Sequence, residues 1–162
     1  MQNGCGIGRS ASRGLKAGTA LALGALALGN SGPADAGPRQ SVEVQVWNLR
    51  SAEGEVLACL TAKARAFPDC GKDANAHQVT VPAGQTVRLT FRNVVPGDYA
   101  ISLLHDENAN GRADTFLMLP TEGYGFSRDA KSSMGPPKYA DAVFTVGPAT
   151  PRQRIKMRYI IR

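Results

Sequence analysis

The chain has 162 residues, with 19 Lys plus Arg against 13 Asp plus Glu and a formal charge of +6. The basic residues are dispersed, with no Lys/Arg-rich block interleaved with aromatics and no nucleic-acid motif, so pI alone would have to carry a nucleic-acid partner and none is expected. Beyond residue 36 no apolar stretch is long enough to span a bilayer, so the mature chain is expected to hold no transmembrane segment.

The N-terminal stretch runs from Arg9, Arg13 and Lys16 through an apolar run, Ala17 to Leu28, to Ala34-Asp35-Ala36 before Gly37. A positive region, a short apolar region and an A-x-A site in that order read as a cleavable signal peptide over residues 1–36, cut after Ala36. The apolar run is about a dozen residues, whereas a spanning helix needs roughly 20. Export to a periplasmic or secreted location follows as the expectation. Cys5 precedes the apolar run and leaves with the peptide.

From Gly37 onward 126 residues remain, with 16 Lys plus Arg against 12 Asp plus Glu, a mildly basic balance of about +4. That length fits one domain, residues 37–162, with one core. Val42, Val44 and Val46 alternate with Glu43 and Gln45, the period-two pattern of a strand with one buried face. A further short strand is expected at Glu55 to Leu60. Its Cys59 and the following Cys70 are the only cysteines left after cleavage. An even count in an oxidising compartment predicts a disulfide worth about 2 to 3 kcal/mol. Their spacing is not C-x-x-C and no histidine stands at a ligand spacing, which argues against a redox or metal pair.

Strands are next expected at Val79 to Val81 and through Val87, Leu89 and Phe91, which alternate with Thr86, Arg88, Thr90 and Arg92. Tyr99, Ile101 and Leu103 alternate with Ala100 and Ser102, but Leu104 is apolar too, as in a central strand covered on both sides. Pro120 to Tyr139 is the longest irregular stretch, the kind of loop that carries function. A strand at Ala142 to Val146 follows, and then one in which Ile155, Met157, Tyr159 and Ile161 oppose Arg154, Lys156 and Arg158. About seven short strands separated by turn signals predict an all-β, antiparallel two-sheet sandwich.

Asp106-Glu107-Asn108-Ala109-Asn110-Gly111-Arg112-Ala113-Asp114 carries the most chemistry. Asp106, Asn108 and Asn110 hold positions 1, 3 and 5 of a calcium loop, Gly111 the turn at 6, the Arg112 carbonyl position 7 and Asp114 position 9. Alternating oxygens around a tight turn suit a hard cation. Leu117 stands at position 12 in place of the bidentate Glu, so a weak structural site is expected, on the order of 10⁻⁴ to 10⁻³ M, with Glu122 as a replacement carboxylate. A metal-free hairpin closed by Asx-turns explains the same residues.

Pro96-Gly97-Asp98-Tyr99-Ala100, His105-Asp106-Glu107-Asn108-Ala109-Asn110-Gly111, Asp114, Pro120, Glu122-Gly123-Tyr124-Gly125-Phe126-Ser127 and Ala142-Val143-Phe144 occur in that order. Together they resemble the exported bacterial family called domain of unknown function 2141. The likeness covers essentially all of residues 37–162 and implies a β-sandwich of immunoglobulin-like or transthyretin-like architecture with no agreed activity. Met118-Leu119-Pro120 departs from the Phe-Gly or Ile-Gly that often precedes the proline in that family, and the cysteine pair looks like a subgroup feature.

Three functional readings follow. In the first, a non-catalytic accessory or binding protein presents Tyr124, Phe126 and Tyr139 to an unknown peptide, glycan or envelope component, because aromatic rings bury much area at low entropy cost. The same rings would equally fasten the loop beneath the sheet. In the second, Arg88, Arg92, Arg154, Lys156, Arg158 and Arg162 form a cationic sheet face for anionic lipid or polysaccharide. In the third, His105, Asp106 and Ser127 serve a hydrolase. No convincing catalytic constellation supports it, and the expectation is that the protein is not an enzyme.

Overall fold

The computed structural model describes residues 38–161 apart from 118, 133, 134 and 150. The stretch to Ala36 expected to be a signal peptide, and Arg162, lie outside the described residues. Among the described residues ten strands form in chain order: β1 Gln40–Trp47, β2 Glu55–Thr61, β3 His77–Pro82, β4 Thr86–Val94, β5 Gly97–Asp106, β6 Thr115–Phe116, β7 Leu119–Pro120, β8 Gly123–Phe126, β9 Phe144–Val146 and β10 Arg152–Lys156. The fold is all-β; a single turn of helix, α1 Tyr139–Ala142, precedes β9. Among the described residues no helix is long and apolar enough to cross a membrane.

The strands form a three-stranded sheet in the order β10-β1-β4 and a five-stranded sheet in the order β3-β2-β5-β8, with β9 also on β5; β6 and β7 make a small hairpin of their own. Period-two alternation explains how the larger sheets meet. Val42, Val44 and Val46 of β1 and Val87, Leu89 and Phe91 of β4 point inward from one sheet, Val56, Ala58, Leu60, Ile101 and Leu103 from the other, and all share one buried cluster. Each of these side chains except Ala58 contributes roughly 1.5–3 kcal/mol by leaving water.

Most pairings are antiparallel, as the turn spacing predicts, but β1 and β10 run parallel, with Val46 opposite Ile155. The last strand is also shorter than its alternation suggests. At Met157 the chain leaves the three-stranded sheet and pairs Arg158 with Tyr124 at the edge of the five-stranded one. Arg158 therefore belongs to a junction between sheets, bonded to Asp129 at 2.8 Å, and not to the outer cationic row.

The larger correction concerns Pro120 to Tyr139, which runs from the last residue of β7 through all of β8 to the first residue of α1 and is not one irregular loop. Gly123 and Gly125 fall within the stretch expected to be irregular, yet both lie in β8 for a packing reason. A Cβ on Gly123 would stand 2.4 Å from the Tyr159 ring, and one on Gly125 2.7 Å from Ile155 Cγ2. The glycines face inward so that the C-terminal segment can lie against the sheet, which turns Tyr124 and Phe126 outward.

β5 is central, as its double-sided apolar character predicts, between β2 and β8. The predicted disulfide is present, with Cα atoms 6.1 Å apart and Cys59 on β2. It ties the segment that follows β2 back onto the outer face of that sheet.

Candidate functional site

Because β2, β5 and β8 pair in register, their outward residues form rows across the five-stranded sheet. Thr80, Leu57, Leu104 and Tyr124 make one row; Gln78, Cys59, Ser102 and Phe126 make the next. Two loops rise over these rows. Pro68 to Gly71, held by the disulfide, forms one wall, and Gly111 to Ala113 of the Asp/Asn loop forms the other, enclosing a groove of about 660 Å³. The floor is apolar at half-buried Leu57, Leu104 and Tyr124, with a few polar groups at its margin, the composition of a small-ligand site.

Each wall is fixed by hydrogen bonds. The Ser102 hydroxyl donates to the Pro68 carbonyl at 2.6 Å, and the Gly71 N–H donates to Asp69 at 2.9 Å. Further along, buried Asp73 accepts from the Thr61 hydroxyl at 2.7 Å and meets Lys63 at 2.8 Å. The Lys63 ammonium, and then the Thr61 hydroxyl, hold the Asp73 carboxyl down at about 2.

On the other side, buried Asp106 accepts the N–H groups of Asn110 at 3.1 Å and Gly111 at 2.6 Å. The Asn108 and Asn110 amides both donate to one Asp114 oxygen, at 2.7 and 2.9 Å, while their own carbonyl oxygens accept the N–H groups of Asn110 and Arg112. These donors hold the Asp114 carboxyl below its ordinary range. The side chains at positions 3, 5 and 9 thus converge on one point, but in a self-satisfied turn. Among the described residues no group of three or more His, Cys, Asp or Glu is placed to hold a metal. Arg112 lies at the groove margin, and Leu117 is exposed on the β6–β7 hairpin.

Glu122, expected as a replacement ligand, has a different place. It is buried, and its two oxygens accept the N–H of Glu107 at 3.2 Å and of Asp114 at 3.0 Å, closing the base of the loop. Burial first, with Asp106 and Asp114 nearby, pushes its carboxyl up.

Of the three predicted contacts, Tyr124 lies on the groove floor. Phe126 borders the groove but is buried in a satellite cluster with Ala100, Ala130 and Ala142. Tyr139 packs edge-on against Phe67 and donates its hydroxyl to Asp98 O at 3.0 Å, so it fastens its segment to the sheet. Leu57 and Leu104 went unrecognised as site residues. Their signal was an apolar residue on the solvent-side parity of two strands that otherwise alternate.

The hydrolase residues are not brought together. His105 faces inward with Nδ1 2.7 Å from the Tyr159 hydroxyl and Nε2 2.9 Å from the Glu53 carbonyl. Ser127 donates to Ala142 O at 2.5 Å and accepts the Ile101 N–H at 2.9 Å, which puts it four positions along β5 from His105, roughly 13 Å at strand rise. Of the cationic row, Arg88, Arg92, Arg154 and Lys156 do share the outer face of the three-stranded sheet, joined by Arg152.

A family model described as an uncharacterised protein conserved in bacteria (DUF2141) matches residues 44–154, from within β1 to within β10. No curated protein and no solved structure matches the chain.

Proposed function

The chain belongs to the family of uncharacterised bacterial proteins designated DUF2141, and from that premise we propose that it is an exported, non-catalytic binding protein that seats a peptide or glycan of the cell envelope in the groove over its five-stranded sheet. The observation that carries this reading is the groove itself. An apolar floor of Leu57, Leu104 and Tyr124 lies between two walls held by a disulfide and by a hydrogen-bonded turn. A recess fixed before the ligand arrives loses little freedom on binding, so its contacts convert efficiently into affinity. The leader-like N-terminal stretch and the disulfide both favour an oxidising compartment outside the cytoplasm.

Amide NMR of the protein titrated with a panel of short peptides and cell-wall oligosaccharides tests the reading. Shifts are expected to cluster on Leu57, Leu104 and Tyr124 and to be lost in Tyr124→Ala. Ligands that bind with shifts elsewhere, and bind Tyr124→Ala equally well, would sink it.

Weak structural calcium at Asp106, Asn108, Asn110, the Arg112 carbonyl and Asp114 is the second reading, resting on the calcium-loop spacing of those residues. An ion bound only by the folded chain raises the unfolding midpoint by mass action. Millimolar calcium is expected to raise it, magnesium and chelator are not, and Asp114→Ala is expected to abolish the rise. An unchanged midpoint in calcium would leave the loop as a plain turn.

A further inference from the structure

Trp47, Phe116, Leu117, Leu119 and Ile160 are the exposed large hydrophobic residues among those described. They come from three separate parts of the chain, yet the topology delivers all of them to one end of the sandwich. Trp47 is the last residue of β1, the β6–β7 hairpin follows the end of β5, and Ile160 follows β10, which runs parallel to β1. Arg50 fixes the three segments together: its guanidinium pairs with Glu107 and donates to Thr121 O at 2.9 Å and to Ile161 O at 2.8 Å. At the hairpin the exposure is extreme, 62% for Phe116 and 80% for Leu117. Apolar side chains held out in water on a fixed frame mark a surface meant to be covered.

The charge beside this end indicates what covers it. Lys156 Nζ sits 5.0 Å from the centre of the Trp47 ring. On the outer face of the three-stranded sheet, which ends at this pair, exposed Arg88 and Arg154 flank Gln45 one row in from Trp47, with Arg152 and Arg92 farther along the same face. Its one acid in those strands, Glu43, is already bonded to Arg152 at 2.9 Å. An indole, an apolar hairpin tip and neighbouring cations together match the layering of an anionic bilayer surface: acyl chains for Phe116 and Leu117, the interfacial layer for Trp47, phosphates for the cations.

We propose that this end of the sandwich is a membrane-docking surface, in which Phe116 and Leu117 insert among the lipids of an anionic bilayer, Trp47 lies at headgroup depth, and Lys156 with the adjoining arginines meets the lipid phosphates. It is a surface separate from the groove, and its test does not depend on the groove's ligand.

Trp47 is the chain's sole tryptophan, so its fluorescence reports on the surface directly. The protein, produced from the full chain, is mixed with phosphatidylcholine vesicles with and without phosphatidylglycerol, alongside the double variant Phe116→Ser/Leu117→Ser, checked for an unchanged melting curve. Anionic vesicles are expected to shift the emission to the blue, brominated acyl chains to quench it, and salt to weaken the binding. The variant is expected to bind at least about tenfold more weakly. Since both proteins share one N-terminal stretch, the difference isolates the hairpin. Absence of any shift with anionic vesicles, or equal binding by the variant, would overturn the proposal. So would a dimer in the ultracentrifuge that the variant converts to monomer, which would assign the patch to a second copy of the chain.

Discussion

Buried His105 and half-buried Tyr159 form a pair: the Tyr159 hydroxyl lies 2.7 Å from His105 Nδ1 while accepting the Arg50 N–H at 3.1 Å. The Glu53 carbonyl can only accept, so His105 Nε2 donates to it and Nδ1 is left to receive the Tyr159 proton. One phenol thereby joins β5, the β1–β2 connection and the C-terminal segment. Tyr159→Phe leaves two groups unpaired and is expected to lower stability by about 1–3 kcal/mol in urea unfolding. A variant as stable as the parent would mean that these contacts are not retained in solution.

The glycines of β8 make a second expectation. Gly125→Ala places a methyl 2.7 Å from Ile155 Cγ2 and 3.2 Å from Lys156 O, so the C-terminal segment has to shift or the sheet edge has to open. Overpacking of this kind costs about 1–3 kcal/mol. Gly84→Ala, whose added carbon meets nothing within 4 Å, serves as the control and should be close to neutral in the same unfolding assay.

Cys59 and Cys70 are separated by 11 positions, a short loop whose closure is worth about 2–3 kcal/mol. Unfolding with and without reductant, or of Cys59→Ser/Cys70→Ser, is expected to show that loss. Ligand binding in the groove should weaken with it, because Pro68 to Gly71 would no longer be held against the sheet. Equal stability in both redox states would remove the bridge from the account of the groove.

Acid should find Asp73. Its carboxyl is held at about 2 against an ordinary 3.8, chiefly by Lys63 and then by Thr61. A depressed carboxylate lends stability above its unfolded value and loses it as pH falls towards the folded one, so this contribution fades between about pH 4 and pH 2. Glu122 acts in the opposite sense: its raised value means that acid relieves a buried charge there. Asp73→Asn should therefore flatten the stability-against-pH profile below about pH 4. A mutant profile parallel to the parent's in that range would refute the assignment.

Much of the sheet framework is legible in the chain itself. Val42 to Val46, Val87 to Phe91 and Tyr99 to Leu103 announce strands because a pleated strand turns every second side chain inward, and that rule is local. The Asp/Asn loop and the cysteine pair are equally visible, being spacings between near neighbours. What the alternation could not reveal depends on neighbours far along the chain. Gly123 and Gly125 sit in what looks like an irregular stretch until Tyr159 and Ile155 are seen to occupy the space of their missing side chains. Leu57 and Leu104 become a groove floor only when β2 and β5 pair in register and two loops rise beside them. Arg158 leaves the cationic face because its strand changes sheets, and Trp47, Phe116 and Ile160 come to one end of the sandwich because three strand ends coincide there. Periodicity fixes which way a side chain points relative to its own strand; only the order and register of the strands decide what it meets there.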